Sequence, residues 1–564
     1  MSWLKAGVLA LGLCVAASGA EAKPAKPVLS AAAIASPDIY AARAAKEVLD
    51  KGGNAVDAAV ATAFTLAVTY PEAGNLGGGG FMTLVIDGKP YFLDYRETAP
   101  AAARDDMYLD ASGEPVADWS QIGPSSAAVP GTVMGLYEAH KRFGKLSWAT
   151  DIAPAIRYAR DGFTVEDQLV QLTNDSKTPF VGVTNFDSYF SGIRTGEVFR
   201  QLDLALTLER IAKHGPDGFY KGRTADLIVA QMARGTPAGL ISKADLAGYR
   251  AAWRDPVVGP WRNAKGETFQ VVTAPPPSSG GIALLQMLTM KEDNAALFRD
   301  VALNSPQYIH LVAEIEKRVF ADRAQYLGDP DFITVPVAAL TDPGYLARRA
   351  AEVDPLKPSP TPEVKPGLEK PQTTHFSIVD RWGNAVSNTY TLNGWYGAGV
   401  VVEGAGFLLN DEMDDFSAKP GAPNMYGVVG GDANAIAPHK RPLSSMTPTI
   451  LMKDGKVAMV LGTPGGSRIF TSVFQVLADV YDFDQPLPEA LKLMRFHHQL
   501  LPADTIFTEP YAPLSAELTA QLAARGYKAE DQGYNGDIEA IQIVGDTPIP
   551  AADPRARGVA VVVP

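Results

Sequence analysis

Cysteine is almost missing from this chain: of 564 residues only Cys14 is one, and it lies in a segment read below as removed. Without thiols the mature protein is expected to have no disulfide, no thiolate metal ligand and no cysteine nucleophile, so its stability must rest on a packed core. Long apolar runs are missing too. Past residue 22 no stretch approaches the ~20 residues that a membrane-spanning helix needs. Positive charge is in deficit, with 50 Lys and Arg against 63 Asp and Glu, a net charge of -13. That balance argues against nucleic acid or an anionic membrane surface as a partner. There is no G-x-S-x-G, H-E-x-x-H or Walker pattern, and the seven histidines are scattered except for His497-His498. Adjacent side chains point to different sides of a helix or strand, so that pair reads as packing or surface. No metal and no organic cofactor is expected.

What is present begins with MSWLKAGVLALGLCVAASGAEA, residues 1–22. Lys5, the apolar run from Ala6 to Ala17 and the small-residue end at Ala20-Glu21-Ala22 have the order of a secretory signal peptide. The protein is therefore expected to be exported, to the periplasm or beyond. The length calls for two domains or one large layered domain, and 46% hydrophobic with 20% charged residues are globular values.

Residues 37 to 69 read as two helices broken at Gly52-Gly53, the second nearly all small and apolar. Four glycines, Gly77 to Gly80, then lead into a hairpin turning at Asp87-Gly88. The middle, about 120 to 350, reads as mostly helical. Within it Ser305 caps a core helix, with Pro306 in the first turn and Gly328 as the stop, and nothing in that helix calls for chemistry. Residues 352 to 372 carry six prolines and read as an exposed tether. Strands follow: THFSIV and AVSNTYTL around DRWGN, a hairpin at Asp454-Gly455 running into GTPGGSRIFTSVFQVLADVYDF, and a last hairpin of IEAIQIVG with GVAVVVP. Helices outside and antiparallel hairpins inside imply an α+β fold of two stacked sheets between helical layers.

Thr373 stands where the tether ends. Threonine is a poor nucleophile until a base takes its proton, and a free N-terminal amine, with an ordinary pKa of about 7.7 to 8.0, can be that base. An internal amide nitrogen cannot. Thr373 can serve only if the bond from Gln372 is broken.

NLGGGGFM, DYRETAP, PPPSSGG, YLGDPDF, TTHFSIVD, NAVSNTYTLN, LLNDEMDDFS, RPLSSMTPTI and GTPGGSRI occur here in one order, and over nearly the whole mature chain the sequence resembles γ-glutamyltranspeptidase precursors. That resemblance implies a four-layer αββα sandwich, the N-terminal-nucleophile hydrolase fold, and a precursor divided into a signal peptide (1–22), a large subunit (23–372) and a small subunit (373–564). It implies that Thr373 cuts the precursor and then attacks γ-glutamyl amides such as glutathione, passing the acyl group to water, an amino acid or a dipeptide. Thr391 would hold the Thr373 amine, and Gly465 and Gly466 would offer N–H groups to the oxyanion. Arg96 and the hydroxyls of Ser444 and Ser445 would bind the α-carboxylate; Asp415, Glu412 and Asn393 would bind the α-ammonium. Residues 417 to 442 match a lid, in which Tyr426 would close the pocket with Asn393. Singly, each residue has a plainer reading: Arg96 as a surface ion pair, Asp415 as a solvated loop charge, Ser444-Ser445 as a turn, Gly465-Gly466 as a helix entry. Two other functions fit parts of the pattern: an acylase for glutaryl-type amides such as cephalosporin side chains, and an uncleaved binding protein for γ-glutamyl compounds or amino acids.

Overall fold

A computed structural model describes residues 28–361, 373–419, 421, 431–533 and 536–564. The expected signal peptide, the part of the expected 352–372 tether from 362 onward, and Tyr426 lie outside them.

The two N-terminal helices form where expected, at Ile39–Asp50 and Ala55–Thr69. Gly52, with φ of 88°, makes the break between them. Asn54 accepts from the Val56 and Asp57 N–H groups while the Asp57 carboxylate accepts the Asn54 N–H, a reciprocal cap that starts the second helix. Every residue of that helix is buried, as its small apolar composition requires.

Seven strands build the first sheet, in the order Val559–Val563, Ala32–Ser36, Thr374–Val379, Ala385–Thr391, Gly79–Ile86, Lys89–Asp94, Ala252–Arg254. Six build the second: Thr547–Ala552, Glu539–Val544, Lys456–Gly462, Thr449–Lys453, Thr268–Thr273, Val257–Arg262. All of these pairings are antiparallel. Ala33, Val85, Val379 and Ala385 of the first sheet meet Val272, Ile450, Val460 and Ile541 of the second in one apolar layer. The outer face of the first sheet packs on the helix Ala55–Thr69 and its neighbours. That of the second packs on Gly280–Asp293, Pro306–Tyr326 and Arg468–Tyr481. The result is a four-layer αββα sandwich of the α+β class.

The stretch from 120 to 350 is mostly helical, as expected, and it also supplies Ala252–Arg254 to the first sheet and Val257–Arg262 and Thr268–Thr273 to the edge of the second. Val257–Arg262 alternates buried and exposed, the period-2 pattern of an edge strand. One expectation is corrected. At the other end, IEAIQIVG and GVAVVVP are not partners. Glu539–Val544 pairs with Thr547–Ala552, whereas Val559–Val563 crosses to Ala32–Ser36 in the other sheet. Pro548 and Pro550 disguise the intervening strand, and they are tolerated there because it lies at a sheet edge.

Both sheets mix strands from before and after residue 372. Thr374–Val379 itself is hydrogen-bonded to Ala32–Ser36 on one side and Ala385–Thr391 on the other. Among the described residues no helix is long and apolar enough to cross a membrane.

Candidate active site

Strand alternation decides which side chains can meet at this end of the sandwich. In Thr374–Val379, Phe376 and Ile378 face the outer helices. His375 and Ser377 face the second sheet: the Ser377 hydroxyl donates to the Glu539 carbonyl at 2.8 Å. The His375 ring lies so close to Gly462 that a Cβ there would come within 2.4 Å of it. Thr373, one residue before the strand, shares the parity of His375. Across the ladder Thr389 pairs with His375 and Tyr390 with Thr374, so one further step sets Thr391 opposite Thr373. The Thr391 hydroxyl accepts the Asn393 N–H at 2.8 Å. Asn393 has φ of 77°, a left-handed turn that ends the strand and sends its amide to the Asp411 carbonyl at 3.1 Å.

Thr373 and Thr391 line one small cavity together with Arg96, Asn393, Glu412, Asp415, Ser444, Ser445 and Gly466. Its free volume is about 30 Å³, room for one or two waters. Within this lining Arg96 pairs with both Glu412 and Asp415. Its backbone is placed by Asp94, whose carboxylate accepts the Arg96 N–H at 2.9 Å and is itself paired with Arg254 at 2.7 Å. A third acid, Glu97, lies 3.6 Å from the guanidinium. Burial alone would lower the affinity of Arg96 for its proton, but Glu412, Asp415 and Glu97 reverse that and hold it firmly cationic. Burial raises the carboxyls of Glu412 and Asp415, and the charge of Arg96 opposes the rise. Glu97 is pushed up to about 7 by burial, again against Arg96.

The serines come from a loop zipped to the PPPSSGG segment. Ser444 N–H donates to the Pro277 carbonyl at 2.8 Å, and Ser279 N–H to the Ser444 carbonyl at 2.8 Å. The Ser278 hydroxyl donates to the Met446 carbonyl at 2.7 Å. Gly465 and Gly466 follow the strand Lys456–Gly462 and precede the helix Arg468–Tyr481, with φ of 144° and 56°, angles that favour glycine. Gly466 borders the cavity; Gly465 is one residue behind and does not.

Sequence reading passed over two polar residues of the lining, Arg323 and Ser467. Arg323 stands in the last turn of the helix Pro306–Tyr326, which was expected to carry no chemistry. Its only cue is its place three residues before YLGDPDF. Ser467 follows the glycine pair, and its hydroxyl is 3.0 Å from Gln499 Oε1 and 3.2 Å from His497 Nε2. His497 is fully buried behind this wall and kept neutral by burial and by Arg468, so the expected packing role describes it.

Asp57, His140 and Asp151 make the one cluster of potential metal ligands among the described residues, and it does not border the cavity. His140 Nε2 is 3.0 Å from the Leu146 carbonyl. A carbonyl can only accept, so that nitrogen carries a hydrogen and is no ligand.

Comparison with known proteins identifies the family. The family model for gamma-glutamyltranspeptidase matches residues 41–563. A glutathione hydrolase proenzyme of Pseudomonas aeruginosa is 62% identical over 98% of both chains. Among solved structures, a gamma-glutamyltranspeptidase from Pseudomonas nitroreducens complexed with L-DON is 60% identical over 57% of this chain and 95% of that one, with a TM-score of 0.55. A cephalosporin acylase from Bacillus halodurans, 26% identical, superimposes over 98% of this chain and 99% of that one with a TM-score of 0.81. With the match running from the first helix to the last strand, the chain belongs to the gamma-glutamyltranspeptidase family.

Proposed function

We propose that this chain is a γ-glutamyltransferase and glutathione hydrolase, made as a precursor that cuts itself between Gln372 and Thr373. One observation carries the reading: a single cavity presents the Thr373 hydroxyl, a buried guanidinium and two carboxylates. A γ-glutamyl group carries a carboxylate and an ammonium at the end remote from its reacting carbonyl. Its carboxylate would take Arg96 from the two acids, and its ammonium would take the acids from Arg96. Each buried charge thus exchanges one partner for another and none is left alone. A glutaryl group lacks the ammonium and would leave Glu412 and Asp415 unpaired, which favours the γ-glutamyl reading over the acylase one.

In the first reaction the Thr373 hydroxyl adds to the Gln372 carbonyl, the C–N bond breaks, and the acyl group moves to the threonine oxygen. Water hydrolyses that ester, leaving a carboxylate on Gln372 and a free amine on Thr373. In the second, this amine takes the hydroxyl proton as Oγ attacks the γ-glutamyl carbonyl. The Gly466 N–H would stabilise the oxyanion, with Gly465 before it; that Gly466 borders the cavity just before the helix Arg468–Tyr481 supports this role. The proton passes to the leaving amine, cysteinylglycine when glutathione is the donor. Water or an acceptor amine then takes the glutamyl group, and Thr391, opposite Thr373, holds the nucleophile in place. The two subunits remain one body because their strands interleave in both sheets. Export, to the periplasm or the medium, rests on the pattern of residues 1–22.

Intact mass under denaturing conditions tests this reading. Two fragments are expected, the smaller beginning Thr-Thr-His, with Thr373→Ala remaining whole. A wild-type chain that stays uncut would exclude Thr373 as the nucleophile and leave the binding-protein reading.

A further inference from the structure

Ser445 and Ser279 are held by one guanidinium. Arg323 Nε donates to Ser279 Oγ at 3.1 Å, and Arg323 Nη2 donates to Ser445 Oγ at 3.2 Å. Arg323 and both serines are buried, and Arg323 and Ser445 line the cavity.

The direction of these bonds follows from what each group can do. Guanidinium has only donors, so both hydroxyl oxygens receive. Ser279 Oγ is 2.9 Å from the Ser444 carbonyl and 3.4 Å from Ser445 Oγ. Its one hydrogen goes to the nearer atom, which can only accept. Ser445 Oγ receives from Arg323, and across the 3.4 Å to Ser279 only Ser279 has the geometry of a donor, so the Ser445 hydrogen is not directed at Ser279.

We propose that Arg323 is a positioning residue that fixes the polarity of Ser445, turning the Ser445 O–H into the cavity as a hydrogen-bond donor to the α-carboxylate of the γ-glutamyl donor. The inference rests on the substrate reading above. A serine hydroxyl left to itself rotates and can accept as well as donate; one whose lone pair is already engaged by a cation presents its hydrogen. A lysine at this place could reach one serine but lacks the fixed fork that spans two.

A double-mutant cycle with two donors tests this, using the self-cleaved enzyme. The donors are γ-glutamyl anilide and 4-aminobutanoyl anilide, which keeps the ammonium and lacks the α-carboxylate. Arg323→Gln is expected to raise KM for γ-glutamyl anilide about tenfold, with kcat within about twofold and self-cleavage complete. The 4-aminobutanoyl donor should be turned over as by wild type. Ser445→Ala should show the same selective loss, and the double variant should be no worse than Ser445→Ala alone. Arg323→Lys, which keeps the charge, should lose part of the same KM effect, and it carries the test if Arg323→Gln does not fold. Additive losses in the double variant, or equal losses on both donors, would overturn the proposal. A wild-type enzyme that cuts itself but does not turn over γ-glutamyl anilide would instead overturn the substrate reading.

Discussion

Replacing Asp415 by Asn removes one negative charge from the cavity and changes little else. Arg96 would keep Glu412, and Glu97 at 3.6 Å. It would also keep the carbonyls of Pro442 and Leu443, at 3.3 and 3.4 Å. No buried cation is stranded, so the variant should fold and cut itself. The donor's ammonium loses more. A hydrogen bond to a charged acceptor contributes about 1.5–3 kcal/mol and a neutral one about 0.5–1.5 kcal/mol, a difference of about 1–2 kcal/mol. At about 1.4 kcal/mol per tenfold, kcat/KM for γ-glutamyl anilide should fall roughly fivefold to thirtyfold. The control is glutaryl anilide, which has no ammonium: its turnover should not fall, since it presents no cation for Asp415 to bind. Initial rates with both donors on the cleaved enzyme decide the matter. Equal losses on the two donors, or no loss on the γ-glutamyl one, would show that Asp415 does not face the ammonium.

Two further outcomes are expected. Thr391→Val removes the acceptor of the buried Asn393 N–H, so self-cleavage should slow at least tenfold in a mass-resolved time course, and Thr391→Ser should restore most of the rate; cleavage of the Val variant at the wild-type rate would refute a role for that hydroxyl. Asp151 is pushed up to about 9 by burial and by Asp57, so between its unfolded value near 4 and about 9 the folded chain holds a proton that the unfolded chain has lost. Stability should therefore fall as pH rises through that window, by up to about 1.4 kcal/mol per unit, and Asp151→Asn should flatten the dependence of Tm between pH 5 and 9; an unchanged slope would refute the assignment.

The sequence exposed the parts of the site that short motifs carry. Thr373 is marked by the tether before it and the strand after it, whereas Arg96, Glu412, Asp415 and the serine and glycine pairs, which have plainer readings when taken singly, stand out only through the order of nine motifs. Arg323 was hidden by its surroundings. The helix Pro306–Tyr326 is buried along most of its length, and its charged residues pair among themselves or with neighbours, as Arg318 and Lys317 do with Glu314 and Asp322 with Gln286. A hydrophobic period tells which face meets the core, but not that the last turn of that face reaches a loop more than a hundred residues away. Sheet membership was equally opaque at the ends. Val559–Val563 reads as half of a hairpin by its proximity to Glu539–Val544, and only packing of the two layers shows that it belongs to the other one.

That last strand has an architectural consequence. Val563 is the ladder partner of Ala32, so the end of the chain lies one strand spacing, about 5 Å, from the start of the first strand. A gene permuted to begin at codon 373, with a Gly-Ser linker joining Pro564 to residue 23 and its stop after residue 372, would encode the same two sheets with the same neighbours. Once the initiator methionine is removed, such a chain would carry Thr373 as its first residue from synthesis onward. Folding and peptide cleavage, sequential in the natural order of the chain, would then be separable, and the amine could be studied as a base without ever having been an amide.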